Sequence, residues 1–274
     1  MTERWLELEW EGRRRRALLQ GAEGSAPAPL LVALHGTGGT PRLMAKITGF
    51  TARAPGLVLY PAALGEPGSE DPARGAAWNA GPGLGHPAFP EADDAGFLRA
   101  LIARLRETRS VDPSRIHLAG LSNGGRMAYR LALEAADLFA SVAVIAGAWD
   151  GSGPKPSRPV STLIFHGRSD QHIPYEGGLG AKGRRVTHHS APETAFAWAR
   201  LMGCAPKIQR SSSGAHHLDL ARAADGTEVG LWTVEGQGHA WPGGRAWSAA
   251  ADSPVRDLDA TALILDFFAR HPSR

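Results

Sequence analysis

The sequence has only one cysteine and no long hydrophobic run. Cys204 is the one cysteine among 274 residues, which excludes an internal disulfide and a cysteine-based metal cluster. No run of about 18 apolar residues occurs, and the N-terminal segment has no apolar core of signal-peptide length. We therefore expect a soluble chain, either cytoplasmic or secreted after removal of a signal peptide that preceded this numbering.

A strong excess of one charge is also missing. The formal net charge is +3, and charged residues make up 21% of the chain. The dense basic cluster Arg13–Arg16 has no aromatic residues interleaved with it and fits no nucleic-acid motif. We interpret this cluster as a solvated strand face and predict no nucleic-acid or membrane partner.

Motifs for metals and nucleotides are absent as well. There is no His-Glu-x-x-His, and the adjacent pairs His188-His189 and His216-His217 would point to opposite faces of a strand. Gly81-Pro-Gly-Leu-Gly resembles a dinucleotide fingerprint only superficially, because it lies in a loop with no strand before it. The sequence therefore predicts neither a metal nor a cofactor.

What the chain does contain is an alternation of apolar strands and amphipathic helices. Such an alternation predicts an α/β fold with a mainly parallel central sheet and helices on both faces. Residues 4–10 alternate apolar and polar and turn into a second strand at 14–19, which predicts an antiparallel edge hairpin. We expect a single domain over residues 1–274, with helices near 41–53, from 93, from 127, at 192–202 and near 260–268.

The pentapeptide Gly120-Leu121-Ser122-Asn123-Gly124 lies between an apolar strand and a helical pattern. A G-x-S-x-G sequence in this context is typical of a nucleophile elbow, where a sharp turn projects the serine hydroxyl above the sheet. The alternative is a serine that only caps the helix. We favour Ser122 as a nucleophile, which requires a base and an acid.

Candidates for the base and the acid follow later strands. Enzymes with this elbow place the acid and then the histidine after the serine in the chain. Asp170 follows the second strand beyond the elbow, with Asp150 as the alternative acid one strand earlier, and His239 lies in a glycine-rich loop after a later strand. His35 and His166 precede the serine or the acid, so we predict that they shape the floor of the site.

Backbone amides must stabilise the negative charge of the tetrahedral intermediate. The amide of Asn123, directly after the nucleophile, is one predicted donor. The second is the amide of Thr37 in the loop that follows the strand at residues 29–36, with Gly36 or Gly38 as alternatives.

Several motifs together resemble a known family. LHGTGG, Trp78-Asn79, DDAGFLRALI, LAGLSNGGRMAYRLA, the HGRSD segment and GHAWPGG resemble the polyhydroxybutyrate depolymerase and feruloyl esterase group of α/β-hydrolases. The resemblance implies an α/β-hydrolase fold and cofactor-free ester hydrolysis by Ser122, Asp170 and His239. It also implies that Trp78 and Trp241 line the substrate cleft.

The function predicted is therefore hydrolysis of carboxylic esters through an acyl-enzyme. Feruloyl, acetyl, short-chain and hydroxyalkanoate esters, soluble or polymeric, remain possible substrates. An acyltransferase, a peptidase or a non-catalytic binding protein on the same fold are the alternatives. Pocket shape depends on the loop 62–90 and the region 171–190, and the oligomeric state stays open.

Overall fold

A ten-stranded sheet forms the centre of the protein. The computed structural model describes residues 3–22, 24, 26–69, 74–182 and 186–273. Parts of the predicted loop 62–90 (residues 70–73) and of the region 171–190 (residues 183–185) lie outside the described residues, as do residues 1, 2, 23, 25 and 274 of the predicted domain.

The strands of this sheet are β1 (Arg4–Trp10), β2 (Arg13–Gly21), β3 (Ala28–Leu34), β4 (Leu57–Pro61), β5 (Val111–Leu121), β6 (Ser141–Ile145), β7 (Ser161–Gly167), β10 (Ile208–Ser213), β11 (His216–Arg222) and β12 (Glu228–Val234). β8 (Gly178–Leu179) and β9 (Thr187–His188) form a separate two-stranded sheet. The helices are α1 (Pro41–Thr48), α2 (Phe50–Arg53), α3 (Asp94–Thr108), α4 (Asn123–Glu134), α5 (Ala191–Leu201) and α6 (Ala260–Arg270). None of the described helices combines the length and the hydropathy needed to cross a membrane.

The strand order is β1-β2-β4-β3-β5-β6-β7-β12-β11-β10. The six inner strands from β4 to β12 pair in parallel, and the two outer strands on each side are antiparallel. The predicted N-terminal edge hairpin is confirmed, because β1 and β2 occupy one edge. The carboxyl ends of β5, β7 and β12 consequently meet on one side of the sheet, where open α/β sheets place their sites.

Helices cover both faces of the sheet, as predicted. Helices α3, α4 and α5 contribute to one apolar core, and helices α1, α2 and α6 contribute to the other. Neighbouring residues of β5 alternate between them, with Leu118 in the first core and Ala119 in the second. A strand buried on both faces in this way needs a continuous apolar run, which explains the sequence pattern.

Three elements differ from the prediction. The single helix predicted over 41–53 is divided at Gly49, whose φ of 63° and ψ of 15° end α1 in the left-handed conformation. The helix after the elbow ends at Glu134, before the last apolar residues of its predicted pattern. Strand β10 was not predicted, because its sequence IQRSSS is exposed throughout and shows no apolar alternation.

The arginine cluster is only partly a solvated face. Arg15 is 3% exposed, and its Nη2 donates to Asp94 Oδ1 over 2.6 Å, whereas Arg13, Arg14 and Arg16 are exposed. The Arg15 guanidinium also lies 4.0 Å from the centre of the Phe97 ring. The interpretation of Arg15 as solvated is therefore wrong. Its side chain points inward against α3, where it pairs with the buried carboxylate of Asp94.

Candidate active site

Ser122 lies between β5 and α4 in a backbone conformation that few non-glycine residues adopt. Its φ is 56° and its ψ is −116°. A Cβ on Gly120 would overlap the carbonyl oxygen of Gly124, and a Cβ on Gly124 would overlap that of Leu34. Strand and helix thus pass too closely for side chains at either glycine, which accounts for the G-x-S-x-G spacing.

The three residues predicted as nucleophile, base and acid form a hydrogen-bonded chain with His239 in the middle. Ser122 Oγ lies 2.8 Å from His239 Nε2, and His239 Nδ1 lies 2.7 Å from Asp170 Oδ2. A carboxylate can only accept, so Nδ1 carries the ring proton and Nε2 accepts from the serine hydroxyl. All three follow the carboxyl ends of inner strands, β5, β7 and β12.

Asp170 is held as a buried carboxylate. Its Oδ1 accepts backbone N–H bonds from His172 at 2.8 Å and Ile173 at 2.9 Å, leaving Oδ2 for His239. Burial raises the pKa of the Asp170 carboxyl, but the hydrogen bond and charge of His239, the charge of His166 and the Ile173 amide outweigh it. The pKa therefore lies below its ordinary value, and the group is ionised at neutral pH.

The backbone of His239, the predicted base, is anchored by a residue that the sequence analysis did not single out. The N–H of His239 donates to Asp252 Oδ2 over 2.7 Å, and Lys182 Nζ lies 3.7 Å from Asp252 Oδ1. Asp252 lies in a polar stretch that carries no motif or periodicity. Its role follows only from the approach of this loop to residues 238–239.

The predicted oxyanion donors flank the serine. Asn123 is the first residue of α4, so its N–H has no acceptor within the helix. In the loop after β3, Gly38 N–H donates to the carbonyl of Ala76 over 2.8 Å, and Gly39 N–H donates to Gly36 over 3.0 Å. The Gly38 alternative is therefore disfavoured, and Thr37 and Asn123 both line the cleft beside Ser122.

The cleft above Ser122 has a volume of about 390 Å³, which is typical of small-molecule sites. His239, Trp247 and the loop Gly36–Gly39 form one part of its lining. Trp247 faces the ring of His239 edge-on, with centroids 6.0 Å apart. The apolar side chains of its lining, which we call the apolar wall, are those of Leu43, Met44, Ile47, Leu84, Leu121, Ile173 and Val186.

Trp78 does not line this cleft, contrary to the prediction. The side chain is fully buried, and its indole N–H donates to the carbonyl of His35 over 2.9 Å. Its backbone N–H donates to Asn123 Oδ1 over 2.7 Å. Trp78 therefore packs beneath the site and holds the side chain of the residue that follows the serine.

Trp241 is also in the core instead of the cleft. It is fully buried, its indole N–H donates to Thr261 Oγ1 over 2.9 Å, and Phe50 packs edge-on against it at 5.4 Å. The chain turns inward after His239, so the second residue beyond it points toward α6. Trp247, which the sequence analysis did not single out, is the tryptophan that faces the cleft.

His35 and His166, the histidines predicted to shape the floor of the site, are neutral side chains hydrogen-bonded to nearby backbone. His35 Nε2 accepts from the Ala63 N–H over 3.1 Å, and its Nδ1 donates to the Gly36 carbonyl over 2.8 Å. Burial lowers the pKa of His35 to about 4, so the ring is neutral. His166 Nε2 donates to the carbonyl of Ile173 over 2.8 Å, and burial likewise lowers its pKa.

The alternative acid, Asp150, is not brought to the base. Its Oδ1 accepts from the N–H and the hydroxyl of Ser152 in a surface turn, at 2.9 and 2.6 Å. It lines a neighbouring groove instead of the cleft that holds Ser122. Of the two candidates, it is Asp170 whose carboxylate contacts His239, over 2.7 Å.

Asp170, His172 and His239 could together offer ligand atoms to a metal, since these atoms lie within 4.8 Å of one another. Two of the three are already bonded to each other, and His239 also contacts Ser122. The ring of His172 stacks on that of His239, with centroids 4.5 Å apart and planes at 27°. Stacked rings do not direct their lone pairs to one point, so the group suits proton transfer better than metal binding.

Comparisons with known proteins identify relatives of this chain. No protein-family model matches the sequence. Feruloyl esterase B of Piromyces equi is 34% identical over 180 residues, which cover 63% of this chain but only 32% of that protein. The chain thus spans about a third of the length of that relative.

A second relative matches over most of both chains. The putative esterase NocK of Nocardia uniformis subsp. tsuyamanensis is 32% identical over 258 residues, 84% of this chain and 72% of that protein. The fold is shared with an acetyl xylan esterase from Aspergillus awamori, with a TM-score of 0.60, 14% identity and coverage of 97% of this chain and 99% of that one. The chain belongs to the polyhydroxybutyrate depolymerase and feruloyl esterase group of α/β-hydrolases that its motifs resemble.

Proposed function

We propose that this protein is a serine esterase that hydrolyses carboxylic esters through an acyl-enzyme on Ser122. The observation that carries the proposal is the hydrogen-bonded chain from Ser122 Oγ through His239 to Asp170, with bonds of 2.8 and 2.7 Å. A base within hydrogen-bond distance of a nucleophile, itself oriented by a third group, is the arrangement that activates a serine hydroxyl.

Acylation begins when an ester carbonyl lies above Ser122 with its acyl group against the apolar wall. His239 Nε2 takes the hydroxyl proton as Oγ attacks the carbonyl carbon. Asp170 stabilises the imidazolium that forms and keeps its Nδ1–H directed inward. The carbonyl oxygen becomes an oxyanion, which the amides of Thr37 and Asn123 stabilise.

Collapse of the tetrahedral intermediate completes the first half of the reaction. The imidazolium of His239 gives its proton to the leaving alkoxide, and the alcohol departs from the acyl-enzyme. A water molecule then loses a proton to His239 and attacks the acyl carbonyl. The second intermediate releases the carboxylic acid and returns the proton to Ser122.

The acyl groups that fit this cleft are small aliphatic or aromatic ones. The apolar wall and the edge of Trp247 suit feruloyl, acetyl, short-chain and hydroxyalkanoate esters. The name of the Piromyces relative, feruloyl esterase B, supports an aromatic acyl group. A panel of feruloyl, acetyl, butyryl and 3-hydroxybutyryl esters, compared by kcat/KM, identifies the preferred acyl group.

Replacement of the nucleophile tests the proposed reaction. We expect Ser122→Ala to lower kcat for 4-nitrophenyl butyrate by about 10⁴-fold or more, because the acyl-enzyme can no longer form. Ser212→Ala, at an exposed position of β10, is the matched control and should retain wild-type kcat.

Covalent labelling gives an independent measurement of the same proposal. An alkyl fluorophosphonate should add one phosphonyl group to the wild-type protein at Ser122 and none to Ser122→Ala. Full turnover by the Ser122→Ala protein, or labelling at another residue, would rule out Ser122 as the nucleophile.

A further inference from the structure

A buried arginine and a histidine form a part of the cleft that the mechanism above does not use. Arg126 lies one helical turn beyond Ser122, and its backbone N–H donates to the Ser122 carbonyl over 2.9 Å. Its Nη2 donates to His188 Nδ1 over 3.0 Å, and both side chains line the cavity that holds Ser122. One turn corresponds to about 5.4 Å along the helix, so a substrate on Ser122 can reach both.

The cleft carries charge of one sign only among its described lining residues. Arg126 is permanently cationic, and no aspartate or glutamate is found among the described residues that line the cleft. Asp170 lies behind His239 with both oxygens engaged by protein donors. Burial and the charge of Arg126 lower the pKa of His188 to about 4, so His188 accepts the arginine bond without supplying negative charge.

Among the described residues, acidic side chains line a second groove on the other side of Arg126. Arg126 and Leu84 also line this groove, of about 530 Å³, which contains Asp150, Glu91 and Glu134. The charge of Arg126 reaches Asp150, whose Oδ1 is held by Ser152. In that groove the acidic side chains share the lining with Arg126 and Arg130, and Arg130 pairs with Glu134. On the Ser122 side, a substrate anion meets Arg126 with no carboxylate among the described lining residues.

We propose that Arg126 and His188 form a carboxylate-binding subsite, so that the enzyme favours esters carrying a carboxylate within a few bonds of the scissile carbonyl. This inference rests on the proposed esterase activity and specifies its substrate class. A guanidinium matches a carboxylate in geometry and charge, and at a buried position it gains more from that contact than at the surface.

Two pairs of esters test the subsite and distinguish its two possible sides. The first pair compares the 4-nitrophenyl half-ester of glutaric acid with 4-nitrophenyl valerate, which places the carboxylate on the acyl side. The second compares the butyryl ester of 4-hydroxybenzoate with that of its methyl ester, which places it on the alcohol side. In the wild type we expect the anionic ester of one pair to have the higher kcat/KM, and added NaCl to reduce that preference.

Variants of two arginines of the same helix then locate the effect. Arg126→Gln should lower the ratio of anionic to neutral kcat/KM by about 10- to 100-fold, the usual effect of losing a hydrogen bond to a charged group. Arg126→Lys, which keeps the charge but loses the planar fork, should give an intermediate ratio. Arg130→Gln is the control, since Arg130 lies one turn further and pairs with Glu134 at 2.9 Å; its ratio should stay within about twofold of wild type.

The measurements distinguish failure of the subsite proposal from failure of the esterase proposal. Hydrolysis of the neutral esters with a ratio unchanged in Arg126→Gln would overturn the subsite alone. If Arg126→Gln does not fold, the wild-type protein alone provides the test. A kcat/KM more than tenfold higher for the neutral ester of both pairs would then overturn the subsite proposal. A wild-type protein that hydrolyses none of the four esters would overturn both proposals.

Discussion

The residue that we propose as the nucleophile is held in an unfavourable backbone conformation. Ser122 has a φ of 56°, a region that costs a non-glycine residue about 1–3 kcal/mol. Its N–H donates to the Ile145 carbonyl over 2.8 Å, and its carbonyl accepts from Arg126, so neighbouring elements fix the turn from both sides. This conformation directs the Ser122 side chain out of the sheet and toward His239.

A substitution at Asp170 tests the orienting role that we propose for this residue. In Asp170→Asn, the amide oxygen should take the Oδ1 position, which accepts two backbone N–H bonds, and the NH₂ would then face His239. The imidazole must then carry its proton on Nε2 and cannot accept from Ser122. We expect kcat for 4-nitrophenyl butyrate to fall by about 10⁴-fold with little change in KM.

The matched control is Asp150→Asn, because Asp150 is the acid that the sequence alone left as an alternative. It is bonded to Ser152 in a surface turn, and its amide variant should keep kcat within about twofold of wild type. A large loss in Asp150→Asn together with a small one in Asp170→Asn would contradict the assignment of the acid.

The elements around the elbow pack at a distance that only glycine permits. A Cβ at Gly124 would overlap the carbonyl oxygens of Leu34 and His35 at the end of β3. We expect Gly124→Ala to lower the free energy of unfolding by about 1–3 kcal/mol, as overpacking does, and to move the Asn123 amide away from the oxyanion. Urea denaturation and kcat measured on the same protein test both effects.

Gly24→Ala is the comparison for this prediction. Among the described residues, the nearest atom to a Cβ there is Ala26 N at 4.0 Å, so stability and kcat should remain near wild type. A Gly124→Ala protein that is as stable and as active as Gly24→Ala would show that α4 can shift without consequence.

Most elements could be predicted because buried strands and helices carry apolar residues at a regular spacing in the sequence. Inner strands are buried on both faces and read as apolar runs, and α6 carries its apolar residues at helical spacing. β10 left no trace, because an exposed edge strand needs no apolar residues. The division of residues 41–53 at Gly49 was missed, since glycine is also tolerated within helices at modest cost.

At the scale of the whole molecule, one buried ion pair joins distant parts of the chain. Arg15 on the edge hairpin pairs with Asp94 at the start of α3, and Asp94 Oδ2 also accepts the Asn79 N–H over 2.7 Å. The side chains of the pair are only 2% and 1% exposed. Removing one partner leaves the other charge buried without compensation.

We therefore expect Arg15→Met to lower the free energy of unfolding by about 3–5 kcal/mol. The double variant Arg15→Met/Asp94→Leu should recover much of this loss, because no isolated charge then remains. Arg14→Met is the control, with a change below about 1 kcal/mol, since Arg14 is exposed and lies 3.7 Å from the exposed Glu7. Equal effects of Arg14→Met and Arg15→Met in urea denaturation would argue against a structural role for the buried pair.

The sequence by itself determined the fold class and the identity of the candidate nucleophile, base and acid. Those features depend on local patterns, such as apolar runs, glycines that permit a tight turn, and polar residues directly after strands. Trp78 and Trp241 were assigned to the cleft by motif alone, and the structure places both in the core. The direction of a side chain from a loop depends on packing against distant elements, which no local pattern records.

Only the tertiary structure decided which residues surround the reacting atoms. The contact of Arg126 with His188 joins segments 62 residues apart. The anchoring of His239 by Asp252 and the position of Trp247 depend on how the loop after His239 folds back on it. The choice of Asp170 over Asp150 likewise required a distance, because both carboxylates follow inner strands. These features arise when the chain closes on itself, and the substrate preference that we propose is one of their consequences.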